Sequence, residues 1–122
     1  MNSKAQDLGL LDTIFVNPTG LDPDSLNEPG NYSTVQDLAK LIENLLLEKP
    51  LVWEILSTSQ FDLYSPDGVF HHKLFNTNEL LWQDGWANNI IGGKTGWTPK
   101  AKGCLVLVMK APNSNSYIIN VI

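Results

Sequence analysis

The chain has 122 residues, 43% of them apolar and 17% charged, enough for one globular domain and too few for two. Eight lysines face 13 acidic residues for a net charge of −5, and arginine is absent, a balance that excludes the basic patch of a nucleic-acid binder and the polybasic segment of an anionic-lipid binder. No apolar run approaches the roughly 20 residues of a membrane-spanning helix, the opening Met1 to Asp7 has no signal-peptide core, and the one cysteine, Cys104, cannot form an internal disulfide.

Residues 3 to 8 read as the end of a helix, with Gly9 at the left-handed position that follows a helix terminus. Residues 12 to 16 are short and extended. Asn17 to Pro23 and Asn27 to Asn31 are rich in Pro, Gly and Asn and read as loop. A helix is then expected: Ser33 with Gln36 three residues on forms a capping box. Leu38, Leu41, Ile42, Leu45 and Leu46 make one apolar face. Asp37, Glu43, Glu48 and Lys49 read as its solvated side, and Pro50 as its stop. A second short helix, Leu51 to Ser57, is expected to bury Val52, Ile55 and Leu56.

Phe61 to Tyr64 alternates as a strand does. Ser65-Pro66-Asp67-Gly68 is a turn in which Pro presets one dihedral and Gly accepts a positive one. Val69 to Lys73 returns as the second strand of a hairpin. His71 and His72 are adjacent on it, so alternation sends them to opposite faces and no shared metal is expected. No Cys, His or carboxylate cluster has zinc spacing. Asn76 and Asn78 are suited to bracing a loop through side-chain to backbone bonds, with a short helical or irregular piece over 79 to 82. Trp82 and Trp86 are expected to be at least partly packed.

The last third reads as β: Ile90 to Thr98, Cys104 to Met109 and Tyr117 to Ile122. The middle strand is apolar on both faces and is therefore expected to be central, with Cys104 buried in it. The fold class is α+β: helices packed with a three-stranded antiparallel meander, plus a small β-hairpin. Residues 1–122 form a single domain, mainly helical over 1–58, hairpin over 59–75 and sheet over 76–122. The chain begins inside a helix pattern and stops inside an apolar strand, so both ends look cut.

Six blocks occur in order: Met1-Asn2 with Ala5 to Leu10; Thr13-x-Phe15-x-Asn17-Pro18-x-Gly20-Leu21-Asp22; Tyr32-Ser33-Thr34 with Asp37-Leu38-Ala39; Asn76-Thr77-Asn78-x-Leu80-Leu81; Gly93-Lys94-Thr95-Gly96-x-Thr98; and Ala101 with Cys104-Leu105-Val106. Together they resemble the serine-type D-alanyl-D-alanine carboxypeptidases, the low-molecular-mass penicillin-binding proteins, in the C-terminal part of their catalytic domain. The resemblance implies a partial β-lactamase/transpeptidase-like fold. It also implies an active site of Ser-x-x-Lys, Ser-x-Asn and Lys-Thr-Gly elements. Only Lys-Thr-Gly is present in its family place. None of the serines at 3, 25, 33, 57, 59, 65, 114 and 116 is followed three residues on by lysine. Ser25-Leu26-Asn27 matches Ser-x-Asn, but it follows a block that this element precedes in the family and reads as a turn.

By the same resemblance, Lys94 supplies positive charge beside a substrate carboxylate and Thr95 a hydroxyl to the same group. Gly96 admits extended substrate close to the strand, and the Trp97 backbone N–H serves the oxyanion. The Thr98 side chain belongs to the same substrate-binding set and can brace the strand. The family commonly carries glycine where Lys102 stands, and Gly103 is expected to take over the positive-dihedral position. No cofactor is implied. The partners implied for a full-length parent are a peptidoglycan stem peptide and β-lactams, in an extracytoplasmic setting; no nucleic acid is implied. The chain alone is expected to be inactive. Two other readings stay open: a non-catalytic module that binds peptide or forms a homo-oligomer through exposed strand edges, and part of a class A β-lactamase.

Overall fold

A computed structural model describes residues 1–25, 27–85 and 87–122. The first element is α1 (Asn2–Asp7). It ends in a Schellman motif, with Gly9 at φ +70°, Gly9 N–H on the Gln6 carbonyl and Leu10 N–H on that of Ala5. Only Ile14 of the expected extended stretch pairs, in a single bridge to Tyr32. The loop between is held by side chains standing in for a ladder: Asn31 Oδ1 accepts the N–H groups of Val16 and Asn17, and Asn17 Oδ1 accepts that of Gly20.

The long helix α2 (Val35–Glu48) is capped by Thr34, whose hydroxyl accepts the Asp37 N–H at 3.2 Å. This corrects the Ser33–Gln36 capping box. The Ser33 hydroxyl instead lies 2.7 Å from that of Thr13, a tertiary partner that local spacing cannot reveal. Asp37 is also corrected: it is buried, not solvated. Its Oδ2 accepts the Asp12 N–H and the Thr13 hydroxyl, each at 2.8 Å, which ties the start of α2 to the segment after α1. Pro50 ends α2 in the sense expected, but it also opens α3 (Pro50–Ser57), where its fixed φ and missing N–H suit the first turn. The buried residue of α3 is Trp53; Ile55 is 62% exposed. Val52 and Leu56 are half-buried, and Leu56 packs against the cluster around Trp53. The expectation for Val52, Ile55 and Leu56 fails at Ile55 and missed Trp53, because apolar spacing alone does not say which side of so short a helix meets the sheet.

The hairpin is β1 (Gln60–Tyr64) and β2 (Phe70–Phe75), antiparallel. Leu63 pairs with His72 and Tyr64 with Phe70, so His71 is an extra residue on β2. A bulge of this kind disturbs strict alternation. The imidazoles of His71 and His72 therefore meet, with Nδ1 atoms 2.5 Å apart and ring centroids 4.7 Å apart, which corrects their placement on opposite faces. Among the described residues no group of three or more metal-ligating side chains forms. In the turn, the Ser65 hydroxyl reaches the Asp67 carboxylate, which holds that carboxyl below its usual range.

The last three strands, β3 (Ile90–Thr98), β4 (Lys102–Lys110) and β5 (Tyr117–Val121), form an antiparallel sheet in the order β3-β4-β5. The apolar strand is central, as expected. Period-2 alternation divides its side chains. Val106 and Val108 join Ile91, Ile119 and Val121 against Ile42 of α2 and Trp53 of α3. Leu105, Leu107 and Met109 face the other way, with Ile90 and the short 3-10 segment Glu79–Trp82 that carries Leu80 and Leu81. Cys104 is exposed, not buried. It shares the face of Val106 and Val108, but it lies at the end of the strand, beyond the cluster that the two helices build.

Candidate active site

The site grows from β3. Gly92 and Gly93 are buried, and each allows a close approach. A Cβ on Gly92 would lie 2.9 Å from Trp53 Cε3; one on Gly93 would lie 2.8 Å from Asn78 Nδ2 and 2.9 Å from the Val106 carbonyl oxygen. The glycine pair thus lets α3 and the Asn78 loop clamp the strand from its two sides. Beyond the clamp the strand emerges from cover: Lys94, Gly96 and Trp97 are exposed and Thr95 is half-buried.

Lys94 Nζ folds back on the carbonyl of Thr95. The Thr95 hydroxyl lies 2.5 Å from that of Thr77. Apart from its two chain neighbours, a Cβ on Gly96 would meet no atom of the described residues within 4 Å, so the space over Gly96 is open to a ligand. The Trp97 side chain is 69% exposed. Thr98 is engaged by the fold itself: its hydroxyl donates to Asp22 Oδ1 at 2.8 Å and accepts the Ala101 N–H at 2.9 Å. The Lys100 N–H donates to Asp22 Oδ2 at 2.8 Å. Asp22, from the loop after α1, therefore fastens the β3–β4 turn at the end of the Lys-Thr-Gly strand.

That turn also corrects the sequence reading of its dihedrals. Lys102 itself sits at φ +65°, and Gly103 is not among the positive-φ glycines. Thr98 pairs with Lys102 across a three-residue loop. Such loops place a left-handed residue at the start of the returning strand, and here that residue is Lys102.

Asn76 and Asn78 brace their loop as expected. Asn76 Nδ2 donates to the carbonyls of Leu56 and Thr58, and its Oδ1 accepts the Asn78 N–H. Asn78 is 2% exposed, and its Oδ1 accepts the Leu80 N–H. Trp82 is 46% exposed and leans on Phe75, with ring centroids 5.9 Å apart. Trp86 and the central residue of Ser25-Leu26-Asn27 lie outside the described residues. The Glu28 N–H on the Ser25 carbonyl agrees with a turn there.

Sequence reasoning missed Thr77 and Asp22. Both sit inside recognised blocks, yet their partners, Thr95 and Thr98, are 18 and 76 residues away. A groove of about 510 Å³ lies apart from the Lys-Thr-Gly motif, between α3 and the hairpin, walled by Leu51, Ile55, Phe61, Leu74 and Phe75. A second cavity of about 290 Å³ lies at the Asp22–Thr98 junction.

Comparison with known proteins agrees with this geometry. The family profile described as D-alanyl-D-alanine carboxypeptidase, peptidase S11, matches residues 1–122. A D-alanyl-D-alanine endopeptidase of Escherichia coli is 41% identical over 110 residues, 88% of this chain and 32% of that protein. The D-alanyl-D-alanine carboxypeptidase DacF of Bacillus subtilis is 34% identical over 119 residues, 98% of this chain and 28% of that one. Penicillin-binding protein D2 of Listeria monocytogenes, solved with ampicillin bound, superposes with a TM-score of 0.78 at 30% identity over 99% of this chain and 45% of its own. The chain thus spans a third or less of these curated relatives and under half of that structure. The helices and the three-stranded antiparallel sheet are those of the penicillin-binding, transpeptidase-like fold. By the profile over its whole length, the chain belongs to the peptidase S11 family of D-alanyl-D-alanine carboxypeptidases.

Proposed function

We propose that this chain supplies the substrate-binding strand of a peptidoglycan D-Ala-D-Ala carboxypeptidase, an enzyme that removes a terminal D-alanine by serine acyl transfer. The observation that carries the reading is Lys94-Thr95-Gly96 at the edge of the sheet, with open space above Gly96 and a firm base beneath Gly93. An extended peptide laid along such an edge is recognised as an added strand. Lys94 provides the positive charge and Thr95 the hydroxyl for the terminal carboxylate, and the Trp97 N–H provides a donor to the oxyanion formed on serine attack. Thr98 acts through its bond to Asp22, holding the strand end in place.

No Ser-x-x-Lys occurs in this sequence, so acylation requires a serine from outside it, and the chain alone binds without reacting. The parent enzyme works on the outer side of the cell membrane, where its substrate lies. Among the described residues no helix is long and apolar enough to cross a membrane. β-Lactams belong to the same site on this reading, supported by solved relatives that hold ampicillin and cefotaxime.

The test is intact-mass analysis after incubation with a penicillin, combined with amide NMR during titration with ampicillin. The expected result is no covalent adduct, with shifts concentrated at Lys94 to Thr98. An adduct on any serine of this chain overturns the missing nucleophile. Shifts that are absent, or that fall elsewhere, overturn the substrate strand.

A second reading rests on β5, an edge strand that exposes Tyr117 (50%) and Ile118 (44%), followed by Ile122 at 79%. Unpaired apolar edges recruit further strands, so on this reading the chain self-associates. Light scattering that gives a monomer across the micromolar to millimolar range removes it.

A further inference from the structure

We propose that Thr77 is a positioning residue for the anionic end of the ligand: it orients the Thr95 hydroxyl so that its single proton is offered outward to a carboxylate. The proposal rests on the reading of β3 as the substrate strand.

Three observations carry it. First, the loop that presents Thr77 is fixed on both flanks. Asn76 is bonded through its side chain to Leu56 and Thr58, and its N–H donates to the Ser59 carbonyl; Asn78 is buried against Gly93. Between these anchors Thr77 is exposed, and its hydroxyl is 2.5 Å from that of Thr95.

Second, the protons can be counted. Each hydroxyl has one proton and two lone pairs. One proton lies between the two oxygens, so only the accepting hydroxyl has a proton left to give. If Thr95 donates to Thr77, Thr95 turns only lone pairs toward the open side of the strand, and these repel a carboxylate. If Thr77 donates to Thr95, the Thr95 O–H is free to donate outward. Polarisation along the chain of two bonds then strengthens it as a donor. A carboxylate on β3 selects the second arrangement.

Third, the chain contains no arginine. A bidentate guanidinium clamp cannot come from its own residues, and among this chain's own side chains the groups that β3 offers an anion are Lys94 and the paired hydroxyls. A neutral C-terminal amide carries no charge and can both donate and accept, so it gains little from an outward-pointing proton. Thr77 thereby favours a free acid over a capped end.

The experiment is an amide NMR titration of the whole 122-residue chain with N-acetyl-D-Ala-D-Ala and, separately, with its C-terminal amide. It uses the unsubstituted protein, Thr77→Val, Thr77→Ala and Thr77→Ser. The expected result is a Kd for the acid raised about three- to ten-fold in Thr77→Val and Thr77→Ala, the scale of one lost hydrogen bond. The Kd for the amide stays within about two-fold on the same scale, and Thr77→Ser restores acid binding. A purely structural role would move both ligands together. If the unsubstituted chain binds the acid and Thr77→Val weakens both ligands equally or neither, the inference fails while the substrate strand stands. Equal affinity of the unsubstituted chain for acid and amide also overturns it. If neither ligand shifts β3, the substrate strand fails, and the role of Thr77 with it.

Discussion

Asp37 illustrates how one buried charge can organise a fold. Its carboxylate is 2% exposed and receives the Asp12 N–H and the Thr13 hydroxyl, while its own N–H is held by Thr34. Lys40 lies 3.7 Å away on the next turn, half-exposed. Replacing Asp37 by alanine leaves the Asp12 N–H without its acceptor, at about 1–3 kcal/mol, and leaves the Thr13 hydroxyl only Ser33 to turn to. Urea unfolding of Asp37→Ala is expected to show a lower midpoint with an unchanged slope. The opposite sign is expected at Lys102, which sits at φ +65°. A left-handed conformation costs an L-residue roughly 1–2 kcal/mol, and glycine avoids it in exchange for some unfolded-state entropy. Lys102→Gly is therefore expected to raise the unfolding free energy by about 0.5–1 kcal/mol, seen as a higher urea midpoint. Neither residue could be placed from sequence. Asp37 looked like one more polar residue on an amphipathic helix, and the carboxylate's partners lie 24 and 25 residues earlier in the chain.

At the scale of the element, β3 divides into a clamped half and an open half, and its glycines separate the two. Gly93→Ala would press a methyl group to 2.9 Å from the Val106 carbonyl and 2.8 Å from the Asn78 amide. Overpacking of this kind costs typically 1–3 kcal/mol. Gly96→Ala meets nothing among the described residues beyond its chain neighbours, so its stability is expected to stay within about 0.5 kcal/mol of the parent. Thermal melting of the two variants, read beside ampicillin titration, tests the division. Gly93→Ala should lose stability, whereas Gly96→Ala should keep stability and lose ligand binding. Helix and strand positions were legible because α2 and β4 carry strong periodic patterns. The burial pattern of α3 was not: in eight residues the apolar positions point several ways, and Trp53 is selected because Gly92 on β3 leaves it room.

For the whole molecule, the two faces of β4 are covered by different partners, helices on one side and the Glu79–Trp82 segment on the other. Trp53 is where α3 meets both α2 and the sheet, at 6% exposure. Trp53→Ala is expected to cost about 3–5 kcal/mol, a large fraction of the roughly 5–15 kcal/mol that holds a domain of ordinary stability. Far-UV and near-UV circular dichroism would show that loss directly. Retention of a cooperative melt close to that of the unsubstituted chain would mean that the Ile42–Val108 contacts hold the helices without it.

The sequence by itself determined the family, through six ordered blocks, and the order of the elements, through periodicity and turn chemistry. It also determined that β4 is central, because a strand apolar on both faces must be covered on both. The tertiary structure decided what depends on residues far apart in the chain: the burial of Asp37, the fastening of Thr98 by Asp22, the contact of Thr77 with Thr95 and the exposure of Cys104. Local patterns record the conformation a segment prefers and the face it must hide. They carry no record of which distant side chain will arrive beside it, and in this chain those arrivals build the floor and the anchor of the Lys94-Thr95-Gly96 strand.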